Sequence, residues 1–226
     1  MNYSLIKLPL FHFSVCLALT ACGSSSPTSV SLQSSHHYAS GVQTIESFDQ
    51  RYGLINSTVV DKYFGELLVR LDPVNKGGGY KVKIVRTEQP IAWSPGGGFI
   101  CLSTGLIKNL QSESEIAFVL AHEVAHYELN HLGKKNEASV DSFERDADAL
   151  GLKKISAAGY TPASALSSIL RMHTLDTAAV KLATNVHHYP SIQERLRSLS
   201  VLIKQIPSQL GIQDRREFQK MRQMMQ

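Results

Sequence analysis

Within the run Ile116-Ala-Phe-Val-Leu-Ala-His122-Glu123-Val-Ala-His126, two histidines stand four residues apart. On an α-helix that spacing is about one turn, so both imidazoles lie on one face. They can then reach a single metal ion at about 2.0–2.1 Å, the usual zinc–nitrogen distance. Glu123 follows the first histidine and need not be a ligand; its carboxylate can receive a proton from a metal-activated water. The flanks predict a helix. Ser112 with Glu115 three residues on forms a capping box, and Gly133 can close the C-terminus. Ile116, Leu120 and Val124, with Leu129 and Leu132 beyond them, supply apolar packing at helical spacing.

A chance pentapeptide on a buried helix is the plain alternative, and a second pattern decides against it. Glu144-Arg-Asp-Ala-Asp148 lies eighteen residues after His126, in a stretch (137–158) that also reads as helical. Zinc in a hydrolase usually takes three protein ligands and leaves a fourth position for water. Glu144 is the natural third ligand. Asp148, one turn on and on the same face, is placed to orient a ligating histidine.

These two patterns, with His131 five residues after His126, resemble the zinc metallopeptidase family that includes the heat-shock protease HtpX and the CAAX prenyl endopeptidase. Pro95-Gly-Gly-Gly-Phe99-Ile-Cys-Leu-Ser-Thr-Gly105-Leu106 is similar to that family's glycine-rich strand ahead of the active-site helix. Pro190 followed by Arg195 resembles its C-terminal His-Pro-x-x-x-x-Arg element, so the resemblance runs from Val59 to Ile203. It implies an α+β, zincin-like (gluzincin) fold, mainly helical, with a small sheet whose edge strand lines the active-site cleft. It further implies one zinc ion per chain on His122, His126 and Glu144, with Glu123 acting as base and then acid. Arg195 is expected as a structural or electrostatic partner near the site. A metzincin is excluded, because the third histidine of that pattern would stand six residues after His126, where this chain has Leu132.

In His187-His188-Tyr189-Pro190 the sequence departs from the family, with Tyr189 where histidine usually stands. Two substitutes are open. Tyr189 can donate its hydroxyl to the oxyanion forming on the scissile carbonyl. Alternatively, His187 or His188 can occupy the open zinc position and hold the enzyme inactive until substrate arrives. The plain alternative is an exposed loop beside a helix N-terminus.

The N-terminus reads as an export signal. Lys7 is followed by the apolar run Leu8–Leu19, too short to span a membrane. It ends in Leu19-Thr20-Ala21-Cys22, which resembles the bacterial lipobox, where cleavage precedes an acylated cysteine. Residues 1–21 are thus expected as a lipoprotein signal peptide, with Cys22 lipidated and the protein held by multiple acyl chains. Gly23 rather than Asp after Cys22 points to the outer membrane, facing the periplasm of a Gram-negative envelope. Of the three cysteines, Cys16 leaves with the signal and Cys101, in the apolar run Phe99–Leu102, reads as a buried inert thiol.

The Ser-rich residues 22–40 read as a flexible tether, within which His36-His37 is a solvated pair. Residues 41–206 form the metallopeptidase domain and 207–226 a basic C-terminal segment. Within the domain a helix is expected from Ser57 to Leu71, and a half-buried strand around Tyr80–Ile84. A bend or hairpin is expected at Ile91–Leu102, whose edge can pair with an extended peptide, and Trp93 either lines the cleft or packs in the core. Thr161-Pro162 starts a helix to about His173, a surface or packing residue, and Asp176–Val186 is ambiguous between helix and loop. Ser191 with Glu194 opens the next helix. The segment around Arg215–Arg222 reads as a solvated or frayed basic helix.

The formal net charge of +4 is modest and its basic residues are dispersed, so nucleic acid is not expected as a partner. The expected function is a zinc endopeptidase of the cell envelope, acting on protein or peptide substrates that are unfolded or misassembled. Its rival is a non-proteolytic, chaperone-like envelope factor with a structural zinc site, closed by His187 or His188. An intact Glu123 argues against that rival, since a structural site needs no base there.

Overall fold

The computed structural model describes residues 28–74, 77, 79–132, 137–180, 192–207, 211–212 and 214–225. In chain order the elements are α1 (Thr28–Tyr52), α2 (Thr58–Leu71), β1 (Lys81–Val85), β2 (Ala92–Gly96), β3 (Phe99–Ser103), α3 (Thr104–Asn109), α4 (Glu113–Glu128), α5 (Glu137–Ala157), α6 (Ser164–Val180), α7 (Ile192–Ile203) and α8 (Arg216–Gln223). The fold is the expected α+β class: mostly helix, with one small sheet.

The sheet runs β1-β3-β2. β3 pairs parallel with β1 and antiparallel with β2. The glycines between β2 and β3 make the hairpin possible, since Gly96, Gly97 and Gly98 have φ of 106°, 64° and 79°, a region that favours glycine. All five residues of β3 are buried, whereas β2 is half-buried and its outer edge pairs with no other described strand. The predicted hairpin and its free edge are therefore present.

The α4 helix runs through the centre of the core. Eight consecutive residues, Ile116–Glu123, include seven that are buried, because the helix is enclosed by the sheet and by α2, α5 and α6. Ser112 caps it as predicted, accepting from the Glu115 N–H. The reciprocal half of the capping box is different. Glu115 turns back to Gln111 N at 2.6 Å, and its carboxylate also accepts from Ser167 Oγ at 2.7 Å and Arg171 Nε at 3.1 Å. Closure comes earlier than Gly133. The helix ends at Glu128, and Asn130, at φ 54°, turns the chain so that His131 N donates to His126 O.

Three other expectations are corrected. Residues 28–40, assigned to the tether, belong to α1, whose later turns pack on the hairpin: Tyr38 lies 5.6 Å from Phe99, Phe48 lies 4.7 Å from Trp93, and Ile45 is buried. The aromatic and aliphatic residues at helical spacing outweigh the serines around them. Thr161-Pro162 forms a turn and α6 begins at Ser164, then continues through His173 to Val180. Finally, the basic C-terminal segment is docked rather than frayed. Phe218 and Met221 are fully buried, with the Phe218 ring 6.5 Å from that of Tyr63. Asp214 accepts from Glu113 N at 2.7 Å and Arg215 N donates to Glu113 Oε2 at 3.1 Å. This one apolar stripe outweighs the charge of the remaining face.

Signal residues 1–21, Cys22, and His187, His188, Tyr189 and Pro190 lie outside the described residues. No described helix is long and apolar enough to cross a membrane.

Candidate metal centre

The α4 and α5 helices cross with Gly151 at the contact. A β-carbon there would stand 3.2 Å from His122 N and 3.4 Å from His122 Cα, tighter than ordinary van der Waals contact. Glycine lets the backbones close to this distance, and Glu144 and Asp148, two and one turns earlier on α5, then face the histidines.

His122 Nε2 and His126 Nε2 lie 3.0 Å apart. Glu144 Oε2 is 3.4 Å from the first and Glu144 Oε1 is 3.5 Å from the second. Four ligands held tetrahedrally at about 2.0–2.1 Å from one ion are separated from each other by about 3.3 Å. Two imidazole nitrogens and a carboxylate at this spacing fit zinc, and among the described residues they are the group able to hold a metal.

Each histidine is supported on its outer nitrogen. His122 Nδ1 is 3.0 Å from Asp148 Oδ1, close enough to pair although the oxygen sits off the line of the ring N–H. His126 Nδ1 is 3.2 Å from His131 Nδ1, and the His131 ring stacks on Phe143 with centroids 4.2 Å apart. Such outer contacts fix ring orientation and the nitrogen left for metal. Arg195, from α7, holds Asp148 through two bonds of 2.8 and 2.7 Å and approaches Glu144 Oε2 at 3.2 Å.

The charges are unevenly held. Burial opposes ionisation of Glu144, but the hydrogen bond to His122 and the charges of His122 and Arg195 outweigh it and lower its pKa to about 2. Asp148 is likewise lowered, against burial, by its bonds to Arg195 and His122. Burial also opposes a charge on His122, yet Asp148 and Glu144 reverse the balance and raise it to about 10. For His126, burial and the neighbouring His122 lower the pKa to about 4. Two ionised carboxylates in a buried pocket thus create a field that favours a cation between the rings.

Glu123, next to His122 on α4, is buried and lines the same cleft as the cluster. Burial raises its pKa, opposed by His122 and by a hydrogen bond from Ser94 Oγ to Glu123 Oε2 of 2.8 Å. One turn later, Tyr127 donates its hydroxyl to Phe99 O at 2.5 Å and accepts from Gly96 N at 3.1 Å. Ser94 and Tyr127 escaped the sequence reading. The Ser94 contact spans 29 residues and leaves no local pattern, while Tyr127 is detectable only as the neighbour of His126.

These groups open into a cleft of about 690 Å³. Pro90–Ser94, Phe118, Val119, Ile169, Met172 and Ile192 line it together with His122, Glu123, His126, Glu144 and Arg195. Trp93 lines the cleft and also packs on Phe48; His173 is exposed, the surface position expected of it, and is also among the lining residues.

Comparison with known proteins agrees with this geometry. Residues 58–143 match the description Peptidase family M48. A Vibrio cholerae protein named as a beta-barrel assembly-enhancing protease is 35% identical over 88 residues, covering 37% of this chain and 18% of that protein. The chain therefore matches less than a fifth of that relative's length. The matched segment carries both histidines of α4, and α5 completes the cluster with Glu144, so over this part the chain is similar to peptidase family M48, a family of zinc metallopeptidases.

Proposed function

We propose that this chain is a zinc-dependent endopeptidase that hydrolyses peptide bonds of unfolded or misassembled envelope proteins. The observation that carries the reading is the convergence of His122 Nε2, His126 Nε2 and Glu144 within 3.0–3.5 Å, with Glu123 buried beside them and all four residues lining one cleft. Zinc held there supplies Lewis acidity toward a carbonyl and activates water.

The chain's own residues do the rest. An extended peptide adds to the free edge of β2 through main-chain hydrogen bonds that are largely blind to sequence. Glu123 takes the proton of the attacking water and passes it to the leaving amine, its raised pKa suiting both roles. Asp148, held by Arg195, keeps the His122 ring aligned. The rival reading, a chaperone-like factor with structural zinc, gives no use to a buried carboxylate beside the metal cluster and facing a cleft.

Anchoring by acylated Cys22 in the outer membrane belongs to the same proposal, supported by the lipobox-like Leu19-Thr20-Ala21-Cys22. The relative's name, which refers to beta-barrel assembly, supports envelope proteins as the substrate class. The test is cleavage of casein by the wild type beside Glu123→Gln. Hydrolysis by the first and none by the second, with about one zinc per chain in both, supports the reading. Equal cleavage by both, or by neither, overturns it. For the anchor, Cys22→Ser should lose acyl labelling; unchanged labelling removes that claim.

A further inference from the structure

β2 carries one residue more than its partner strand. Ala92 and Trp93 stand opposite Leu102 and Cys101, but Gly96 stands opposite Phe99, so Ser94 and Pro95 together face Ile100. An extra residue of this kind breaks the ladder locally and re-aims a side chain. Here it turns Ser94 toward α4. The hydroxyl lies 2.8 Å from Glu123 Oε2 and 3.4 Å from Glu123 O. It has one proton, and the shorter contact to the charged acceptor takes it.

The surroundings hold that contact in place. Glu123 and Tyr127 are four apart on α4 and share a face, which meets β2 and the start of β3 at two points. Tyr127 grips Gly96 N and Phe99 O just past the extra residue; Ser94 grips Glu123 just before it. Pro95, with no N–H, cannot restore the ladder between them. On the other face of the hairpin, Gly41 of α1 lies so close to Gly96 that a β-carbon would stand 2.5 Å from its carbonyl oxygen. The hairpin is clamped from both sides, so Ser94 has little freedom to drift from the carboxylate.

We propose that Ser94 is a positioning residue for Glu123. By occupying Oε2, it fixes the rotamer of the base and leaves Oε1 to meet the water. The strand that would carry the substrate therefore also aligns the proton acceptor, and both are set by one bulge. This inference rests on the peptidase reading above.

The test compares Ser94→Ala and Ser94→Thr with the wild type on a fluorogenic casein-derived peptide. Ser94→Ala should lower kcat about tenfold or more with KM within about twofold, because the lost contact aligns the base rather than binding substrate. Ser94→Thr, which keeps the hydroxyl, should recover most of that loss. Zinc per chain should match the wild type in both variants. A peptidyl hydroxamate, whose hydroxyl donates to the base, should bind Ser94→Ala about tenfold more weakly, a readout that a packing role alone would not move. If alanine lowers the melting temperature, Ser94→Cys keeps the volume, weakens the donor and gives the same comparison. A Ser94→Ala chain with wild-type kcat, or one whose defect lies in KM or zinc content, overturns this inference while the peptidase reading stands. A wild type that cleaves nothing overturns both.

Discussion

Arg195 grips Asp148 through both carboxylate oxygens, Nε to Oδ2 at 2.8 Å and Nη2 to Oδ1 at 2.7 Å. The guanidinium also reaches Glu144 Oε2 at 3.2 Å, so one side chain from α7 orients the carboxylate behind His122 and the carboxylate of the metal cluster itself. Lysine cannot reproduce that fork. Arg195→Lys should weaken zinc binding about 10- to 100-fold, the usual effect of losing a contact of this kind. Competition against a chromogenic chelator measures it, and unchanged affinity would remove Arg195 from the metal site.

Zinc and folding should be coupled. The ligands come from two helices, and an ion that binds only the folded arrangement stabilises it by about 2.7 kcal/mol at a free concentration one hundred times Kd. Chelation should therefore lower Tm, and readdition of zinc should restore it. Glu144→Ala should blunt the response, whereas Glu123→Gln should retain it in full. A Glu123→Gln chain without bound metal would contradict the division of roles between these two carboxylates.

The C-terminal helix should contribute to global stability. Phe218 is fully buried against the core that contains Tyr63. Phe218→Ala should cost about 3–5 kcal/mol, read as a lower urea midpoint at unchanged slope. A cost below about 1 kcal/mol would mean that the segment frays after all.

Cys101 should be silent toward alkylation until the chain unfolds. Burial, with a smaller push from the charge of Glu123, raises its thiol to about 12. The unfolded thiol ionises near ~8.5. Because the folded value is the higher one, the folded state keeps a proton that the unfolded state has lost. The thiol's contribution to stability is complete below about pH 8.5 and declines as pH rises toward 12. Iodoacetamide at pH 8.5 should label the chain in urea and leave the native protein unmodified. Cys101→Ala should flatten the fall in urea midpoint above that pH.

Gly151 should act on the metal through backbone distance alone. Gly151→Val places its branched carbons against the His122 backbone, where even a β-carbon would stand at 3.2 Å. Forcing α5 away should weaken zinc binding together with stability. Isothermal titration with zinc beside a melting curve tests this, and a valine variant with wild-type zinc affinity would overturn it.

The metal cluster was legible before folding because its spacing is a property of one helix turn. His122 and His126 share a face on any α-helix, and Glu144 and Asp148 share one too, so two local patterns named the candidate ligands. The hairpin was legible for the same reason: three consecutive glycines demand a backbone that other residues avoid. Where local chemistry and tertiary packing competed, packing prevailed. The serines of residues 28–40 suggested a tether, yet the segment is helix leading into an apolar face that covers the hairpin. The charges of α8 suggested fraying, yet Phe218 and Met221 insert into the core. The sequence by itself determined which residues could hold zinc and which could serve as base. Only the tertiary structure decided what aligns them: Ser94 on Glu123 across 29 residues, Arg195 on Asp148 across 47. Periodicity records what one helix or strand does to its own side chains, and a contact between two such elements leaves no period to read.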